Sequence, residues 1–214
     1  MYKRTMYKVQ RGIVLLLCMV CSFSLSAQDF SADRELFAAY QREDMPVWQA
    51  YIDSVATDSP VNTHLLVYEY GFCGYIVAEA KKEGKEALMP EAKRYVKQFK
   101  EHVEALKTQL PAGHYEMYKS AVYVFELRLH ESLHPLKAMD LAKKATQLAP
   151  EDPMTLTYYG TSLFYAPKAF GNKKEAYKWF EKASIYFADP KWEYCWLREA
   201  NEMYKNSCLK YFKQ

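Results

Sequence analysis

Glycine and short hairpin turns are scarce in this sequence. Its 214 residues include only seven glycines, and neither Asn-Gly nor Asp-Gly occurs. Because those dipeptides are the strongest local signal for a β-hairpin, their absence argues against an antiparallel sheet. A glycine-rich phosphate loop, a G-x-S-x-G nucleophile elbow and a DxDxDG calcium loop are also missing. We therefore expect no nucleotide, serine-hydrolase or EF-hand site, and no cofactor.

Acidic side chains are absent from the first 28 residues, and Asp29 is the first acid of the chain. An apolar run over 13–20 follows a basic start, and the small-residue stretch SFSLSAQ comes next. This order is typical of a secretory signal peptide, and we predict cleavage after Ala27. The alternative is an uncleaved anchor, although the apolar run is short for a membrane span. The pattern predicts an exported protein that is periplasmic or secreted.

A strong excess of charge of either sign is also missing. The whole chain carries a net charge of +3, but residues 1–27 contribute four cations and no anion, which leaves −1 for the remainder. Binding to nucleic acid usually requires a marked basic excess, so we do not expect a nucleic-acid partner. Half of the residues are apolar or aromatic, which indicates a folded chain with a core.

Cysteine is sparse after the signal segment, where only Cys73, Cys195 and Cys208 remain and no CxxC motif occurs. The sequence therefore gives no support for redox catalysis. A bridge between Cys195 and Cys208 requires the chain to turn back after Asn206. The alternative is that all three are small apolar residues or terminal thiols.

Helical periodicity is the strongest positive signal. Apolar residues recur every three or four positions over one segment, at Leu88, Ala92, Tyr95, Val96, Phe99, Val103, Leu106 and Leu110. This spacing predicts an amphipathic helix that begins near Pro90 and ends at Pro111. The preceding segment is apolar on more than one face, and its Gly71 and Gly74 predict close approach by a neighbouring element.

The whole chain after the signal peptide reads as helices, without an intervening linker. We predict helices over Ala32–Gln41, Pro46–Ala56, Val61–Ala80, Pro90–Leu110, Tyr115–Leu133, Leu136–Leu148, Met154–Tyr165, Lys173–Phe187 and Lys191–Asn206. His64 and Glu69 make a membrane span within the third helix improbable, so no span is expected in the mature chain. The prediction is one all-α domain over 28–214. It divides into N-terminal cap helices (28–58), a helical hairpin (59–112), two repeated units (114–190) and a C-terminal capping helix with a tail (191–214).

The repeated units resemble the tetratricopeptide repeat (TPR) family. Residues 119–152 match the length of that repeat, with Ala138, Ala145 and Pro150 at its small and proline positions. The next unit has Gly160, then Ala176, Phe180 and Ala183 at the corresponding positions after an insertion at APKAFGN. The order of elements is also similar to certain secreted bacterial TPR-like proteins. The resemblance implies a short α-α superhelical stack of antiparallel helix pairs, with helical caps. It further implies a protein or peptide partner and no catalytic residue.

The same resemblance implies a binding groove lined by the first helix of each unit. Its register assigns these positions to the groove: Tyr123, Leu127, His130 and Glu131 in the first unit, and Thr157, Thr161, Phe164 and Tyr165 in the second. Ser120 and Met154 also occupy groove positions. Aromatic anchors beside a few polar groups suit an extended peptide. The alternative is that Tyr123 and Phe164 are core residues that pack the next helix.

An HExxH motif, His130-Glu131-Ser132-Leu133-His134, raises a different function. On a continuous helix, His130 and His134 share a face and can hold zinc, with Glu131 as the catalytic base of a metallopeptidase. However, Pro135 follows at once, so we expect the motif at a helix end. We interpret His130 and Glu131 as polar groove contacts and keep zinc-dependent hydrolysis as the alternative function.

Aromatic residues are abundant and suggest a third function, binding of a glycan or small ligand. The candidate rings are Tyr158, Tyr159, Phe164, Tyr165 and Trp179. Rings of this kind at helix contacts more often belong to the core and keep one polar edge in water.

Overall fold

A computed structural model describes residue 30 and residues 32–58, 61–131, 134–167 and 171–212. Every regular element within these ranges is helical, which confirms the all-α prediction. The α-helices in these ranges, numbered in chain order, are α1 (Arg34–Gln41), α2 (Met45–Asp58), α3 (Leu65–Glu79), α4 (Met89–Ala105), α5 (His114–Arg128), α6 (Pro135–Leu148), α7 (Pro153–Tyr165), α8 (Lys173–Tyr186) and α9 (Trp196–Leu209). The predicted signal peptide, residues 1–27, lies outside the described residues.

Helix α4 confirms the amphipathic pattern. Its buried residues are Ala92, Tyr95, Val96, Phe99 and Val103, all on the predicted stripe. Pro90 lies in the first helical turn, where its missing N–H costs no hydrogen bond. After α4, Gly113 adopts a left-handed conformation with φ of 79° and starts α5.

Helix α3 is buried on several sides and forms the centre of the core. A Cβ atom placed on Gly71 would lie 2.5 Å from Cζ3 of Trp48 and 2.9 Å from Cζ2 of Trp196. These two indoles therefore approach the helix backbone as only glycine allows, and the prediction of close approach is confirmed at Gly71. It is wrong at Gly74, where the nearest atom, in the ring of Phe125, would be 4.0 Å from the added Cβ.

Helices α5 and α6 pack on each other, as do α7 and α8. Gly160 of α7 faces the ring of Phe180 in α8, and a Cβ atom at this position would be 2.7 Å from Cε1 of that ring. The Asp152 carboxylate caps α7 by accepting from the backbone N–H of Thr155 at 2.9 Å. Caps of this kind satisfy backbone donors that have no partner within the helix, and so fix where α7 begins.

The two ends of the described chain meet. Phe30 packs on Trp192 with ring centroids 5.5 Å apart, and Tyr40 of α1 packs on Trp196 at 5.6 Å. The backbone N–H of Phe30 also donates to the carbonyl of Lys191 at 3.2 Å. Most buried side chains from Phe30 to Ala200 consequently form one core, and a second, smaller cluster consists of Leu163, Ala176, Phe180 and Cys208.

Several predicted helix boundaries are wrong. Helix α3 starts at Leu65 instead of Val61, and α4 ends at Ala105 instead of Leu110. Helix α5 ends at Arg128 instead of reaching Leu133, because His130 adopts a left-handed conformation with φ of 61° that stops the helix. The last helix starts at Trp196 instead of Lys191. A separate 3₁₀ turn forms first, and the Asp189 side chain caps it by accepting from the backbone N–H of Lys191 at 3.0 Å.

The three cysteines of the described chain are buried and carry free thiols. The structure therefore favours the alternative of small apolar residues over a Cys195–Cys208 bridge. In the part of the chain that the structure describes, we find no helix with both the length and the apolarity needed to cross a bilayer.

Candidate binding surface

Four aromatic rings lie together where the C-terminal part of α7 contacts α9 and the residues after it. Phe164 lies 5.1 Å from Tyr165, 5.5 Å from Tyr204 and 6.5 Å from Tyr211 between ring centroids. Tyr165 and Tyr204 are 5.8 Å apart, and their rings are nearly perpendicular. We call these four residues the aromatic surface.

The aromatic surface is open to solvent. Tyr165 is 62% exposed and Tyr211 is 51% exposed, whereas Phe164 and Tyr204 are half-buried beneath them. Large aromatic side chains that remain exposed together on a folded domain are typical of interaction sites. The exposed rings of Tyr165 and Tyr211 pack against the half-buried ring of Phe164, and Tyr165 also packs against Tyr204.

A cation, Lys173, lies at the edge of the aromatic surface. The ammonium of Lys173, the first residue of α8, lies 3.5 Å from the ring centroid of Phe164 and 5.0 Å from that of Tyr211. It also donates to the backbone carbonyl of Phe164 at 2.6 Å. Lys173 thereby stabilises the end of α7, where Phe164 and Tyr165 are placed, and adds a positive charge beside the rings.

Two phenols of the aromatic surface, those of Tyr165 and Tyr204, are joined by a hydrogen bond. The hydroxyl of Tyr165 donates to that of Tyr204 at 3.3 Å. Burial, followed by this hydrogen bond, raises the pKa of Tyr204 well above its usual range. Tyr204 therefore stays uncharged, and its contribution to binding is apolar contact and hydrogen bonding.

Only part of the predicted groove in the second unit is accessible. Phe164 and Tyr165 belong to the aromatic surface, but Thr157 is 1% exposed and does not line an open groove. Its hydroxyl donates to Asn201 of α9 at 3.0 Å, which shows that α9 covers this part of α7. Thr161 is half-buried, and its hydroxyl donates to the carbonyl of Thr157 within the same helix at 2.9 Å.

The predicted groove residues of the first unit face different neighbours. Tyr123 is half-buried, with its ring 6.2 Å from that of His134 and 5.0 Å from the ammonium of Lys137, at the start of α6. Leu127 is half-buried near the end of α5. Ser120 and Met154, at the other groove positions, are buried. Tyr123 therefore contacts the start of α6, and Ser120 and Met154 belong to the interior, whereas Phe164 and Tyr165 contact α9.

The HExxH segment does not lie on a continuous helix. Helix α5 ends at Arg128, and His130 follows in a left-handed conformation. The Nε2 atom of His130 lies 2.8 Å from the ammonium of Lys81, while His134 precedes α6 and contacts Tyr123. The zinc hypothesis required both imidazoles one turn apart on one helix face, and the backbone does not provide that arrangement. Ser132 and Leu133 lie outside the described residues.

The carboxylate of Glu131 forms an ion pair with Lys93 of α4 at 3.0 Å, and both side chains are partly exposed. Among the described residues, no three side chains of the types that ligate metals come together.

The rings suggested for glycan binding divide into two groups. Tyr158 is buried, and its hydroxyl lies 2.9 Å from that of Ser120. Tyr159 and Trp179 contact each other at 5.0 Å between centroids, with both rings half-buried. These three rings pack the interior, and Phe164 and Tyr165 are the members of the set that face solvent with their neighbours.

Tyr204, Tyr211 and Lys173 also belong to this surface, although the sequence pattern did not assign them to it. The spacing along α9 contained a usable signal, because Trp196, Ala200, Tyr204 and Cys208 repeat every four residues and therefore share one face. Tyr211 lies beyond the helix, and its position depends on contacts that no local pattern encodes. Comparison of the chain with protein-family models, with curated protein sequences and with solved structures found no match.

Proposed function

We propose that this chain is a non-catalytic protein- or peptide-binding module with a TPR-like arrangement, exported by a cleavable signal peptide. The observation that carries the proposal is the 62% exposure of Tyr165 within a cluster of fixed rings. Tyrosine is enriched among residues that dominate binding energy, since it offers a large apolar area and a hydrogen-bonding group at low entropic cost.

The order of helix contacts supports the TPR-like part of the proposal. Each of α4, α6 and α8 packs against both the helix before it and the helix after it. The alternate helices α3, α5, α7 and α9 also contact their successors in this series. Contacts between alternate helices are what stacked helical repeats produce. The close fit of Gly160 on Phe180 lies at the positions where the resemblance implies it.

A peptide suits the aromatic surface better than a flat ligand does. The rings of Phe164 and Tyr165 meet at 81°, and those of Tyr165 and Tyr204 meet at 86°. Edge-to-face packing leaves spaces between rings that apolar side chains can enter, in contrast to a continuous flat platform. The polar edge given by two hydroxyls and Lys173 can pair with peptide carbonyls or a carboxylate.

Peptide selection against the immobilised chain 28–214 tests the binding function. We expect enriched peptides to bind the wild type and to lose at least ten-fold in affinity with Tyr165→Ala. The matched control is Ile185→Ala on α8, a side chain that is 70% exposed and lies outside the aromatic surface. Equal binding by the Tyr165→Ala protein would refute this site, and tighter binding of oligosaccharides than of any peptide would favour the glycan alternative.

The export part of the proposal has its own measurement. Expression of residues 1–214 in a bacterium, followed by cell fractionation and N-terminal sequencing, is expected to yield an extracytoplasmic chain that begins at Gln28. An intact N-terminus in the membrane fraction would instead identify an uncleaved anchor.

A further inference from the structure

A second surface of different chemistry lies between α4 and the end of α5. It is a cleft of about 420 Å³ lined by Lys93, Arg94, Lys97 and Lys100 of α4 and by Glu126 and Glu131. We call these six residues and the space between them the basic cleft. Its four cations outnumber its two carboxylates, although the chain without residues 1–27 has a net charge of −1. The residues that line the cleft therefore carry a local excess of positive charge.

The cations of the basic cleft form a row. Lys93, Lys97 and Lys100 are spaced by four and three positions along α4, so they share one helix face. At about 1.5 Å of rise per residue, their attachment points follow one another at about 6 Å and then about 4.5 Å. Such a row of ammonium groups is complementary to a chain molecule whose negative charges are also spaced apart. A compact dianion would contact only one or two of the ammonium groups.

Two of these lysines already form ion pairs with carboxylates of this chain. Lys93 pairs with Glu131 at 3.0 Å, and Lys100 pairs with Glu126 at 2.6 Å. In both cases the ammonium holds a carboxylate that reaches it from the end of α5. The cleft thus already contains two carboxylate–ammonium pairs. Its other two cations are Arg94 and Lys97.

Lys97 and Arg94 are the least neutralised of the four cations. Lys97 is 78% exposed and lies 3.9 Å from a Glu101 carboxylate that is 65% exposed, which makes this a weak pair. The guanidinium of Arg94 lies over the ring of Tyr95 at 3.9 Å and reaches Asp53 only at 3.9 Å. The stacked ring holds the Arg94 side chain in place, so its donors are positioned for an incoming acceptor.

We propose that the basic cleft binds an extended acidic peptide segment of a partner protein, with carboxylates at alternate positions. Alternate residues of an extended chain are about 6.6 Å apart on one side, close to the spacing of one helical turn. Pro90 and Val96 add apolar contacts within the cleft for the intervening side chains. No aromatic ring is among the described lining residues, so an acidic polysaccharide would lack the ring faces on which a sugar packs. The inference concerns other helices than the aromatic surface and does not rest on the function proposed for that surface.

The test uses a fluorescein-labelled peptide of roughly four Glu-Ala dipeptides, with a Gln-Ala peptide as the neutral probe. Fluorescence anisotropy with the chain 28–214 at about 20 mM NaCl is expected to show saturable binding of the acidic peptide alone, weakening strongly at about 200 mM. Lys97→Glu is expected to lower the affinity at least ten-fold. The matched control, Lys178→Glu on α8, changes the net charge equally at a side chain that is 71% exposed. We expect this control to change the affinity less than two-fold.

Four results would each overturn the proposal: no saturable binding of the acidic peptide at low salt, equal binding of the neutral peptide, an equal loss in Lys178→Glu, or tighter binding of linear polygalacturonate than of the peptide. The last result would identify a polysaccharide site. Because Lys97 and Lys178 are both highly exposed, neither substitution threatens the fold. Circular dichroism of each variant checks that directly.

Discussion

Replacing Gly71 with alanine is expected to destabilise the protein, although alanine is the better helix former. The new methyl group would lie 2.5 Å from a ring carbon of Trp48 and 2.9 Å from one of Trp196. Both indoles are buried, at 1% and 9% exposure, so neither ring can move aside into solvent. Overpacking of this kind costs about 1–3 kcal/mol, and two rigid neighbours place it at the upper end.

The same helix supplies a matched control in Gly74. An added Cβ there has its nearest neighbour at 4.0 Å, which is an ordinary contact. Gly74→Ala should therefore gain helix propensity without a clash, which stabilises by about 0.5–1 kcal/mol. Gly71→Ala gains the same helix propensity, which offsets part of the overpacking, so its free energy of unfolding should fall by about 2 kcal/mol. The two variants should therefore differ in free energy of unfolding by about 2–3 kcal/mol.

Equilibrium unfolding in urea measures this difference, followed by far-UV circular dichroism and by tryptophan fluorescence. Coincident transitions from the two probes would justify a two-state free energy. The reasoning is refuted if Gly71→Ala is as stable as Gly74→Ala, because Trp48 and Trp196 would then not approach the α3 backbone as described.

Three further predictions concern other parts of the chain. Gly160→Ala should lower the free energy of unfolding by about 1–2 kcal/mol, because its methyl group would lie 2.7 Å from the buried ring of Phe180. Urea unfolding measures this change, and an unchanged midpoint would contradict the close packing of α7 on α8. Burial raises the pKa of all three thiols, so the native chain 28–214 should react slowly with DTNB and release three equivalents only when unfolded. A single equivalent would reveal a disulfide. Metal analysis of the wild type and of His130→Ala should find no stoichiometric zinc in either protein. Zinc that is lost in the variant would instead identify His130 as a metal ligand and contradict the non-catalytic proposal.

Local patterns predicted the helices well because the information lies within each segment. The three- and four-residue spacing from Ala92 to Val103 was sufficient for α4, and its buried face is the predicted one. Helix ends were harder to predict where the backbone conformation of a single residue ends the helix. His130 stops α5 through a left-handed conformation that this residue type adopts only occasionally, and the surrounding apolar pattern gives no warning of it.

The binding surface was only partly predictable, because it depends on which helix covers which. Thr157 and Phe164 were both assigned to the expected groove, yet Thr157 is buried under Asn201 whereas Phe164 is only half-buried. That difference is produced by α9, whose Asn201 covers Thr157, whereas Tyr204 of the same helix lies beside Phe164 and leaves Tyr165 exposed. A repeat register describes an ideal stack and contains no information about a helix that follows it.

The contact between the two ends of the described chain also has a consequence for the order of folding. Phe30 cannot complete its packing until Trp192 and the carbonyl of Lys191 have emerged from the ribosome, more than 150 residues later. Trp196 likewise donates from its indole N–H to the carbonyl of Val67 in α3 at 3.2 Å. The first helices to be synthesised therefore complete their packing only after the last one is present. Contacts between residues so distant in sequence slow folding and make it cooperative. Until Trp196 packs against α2 and α3, the faces that receive it lack this cover, and apolar surface exposed during folding favours aggregation.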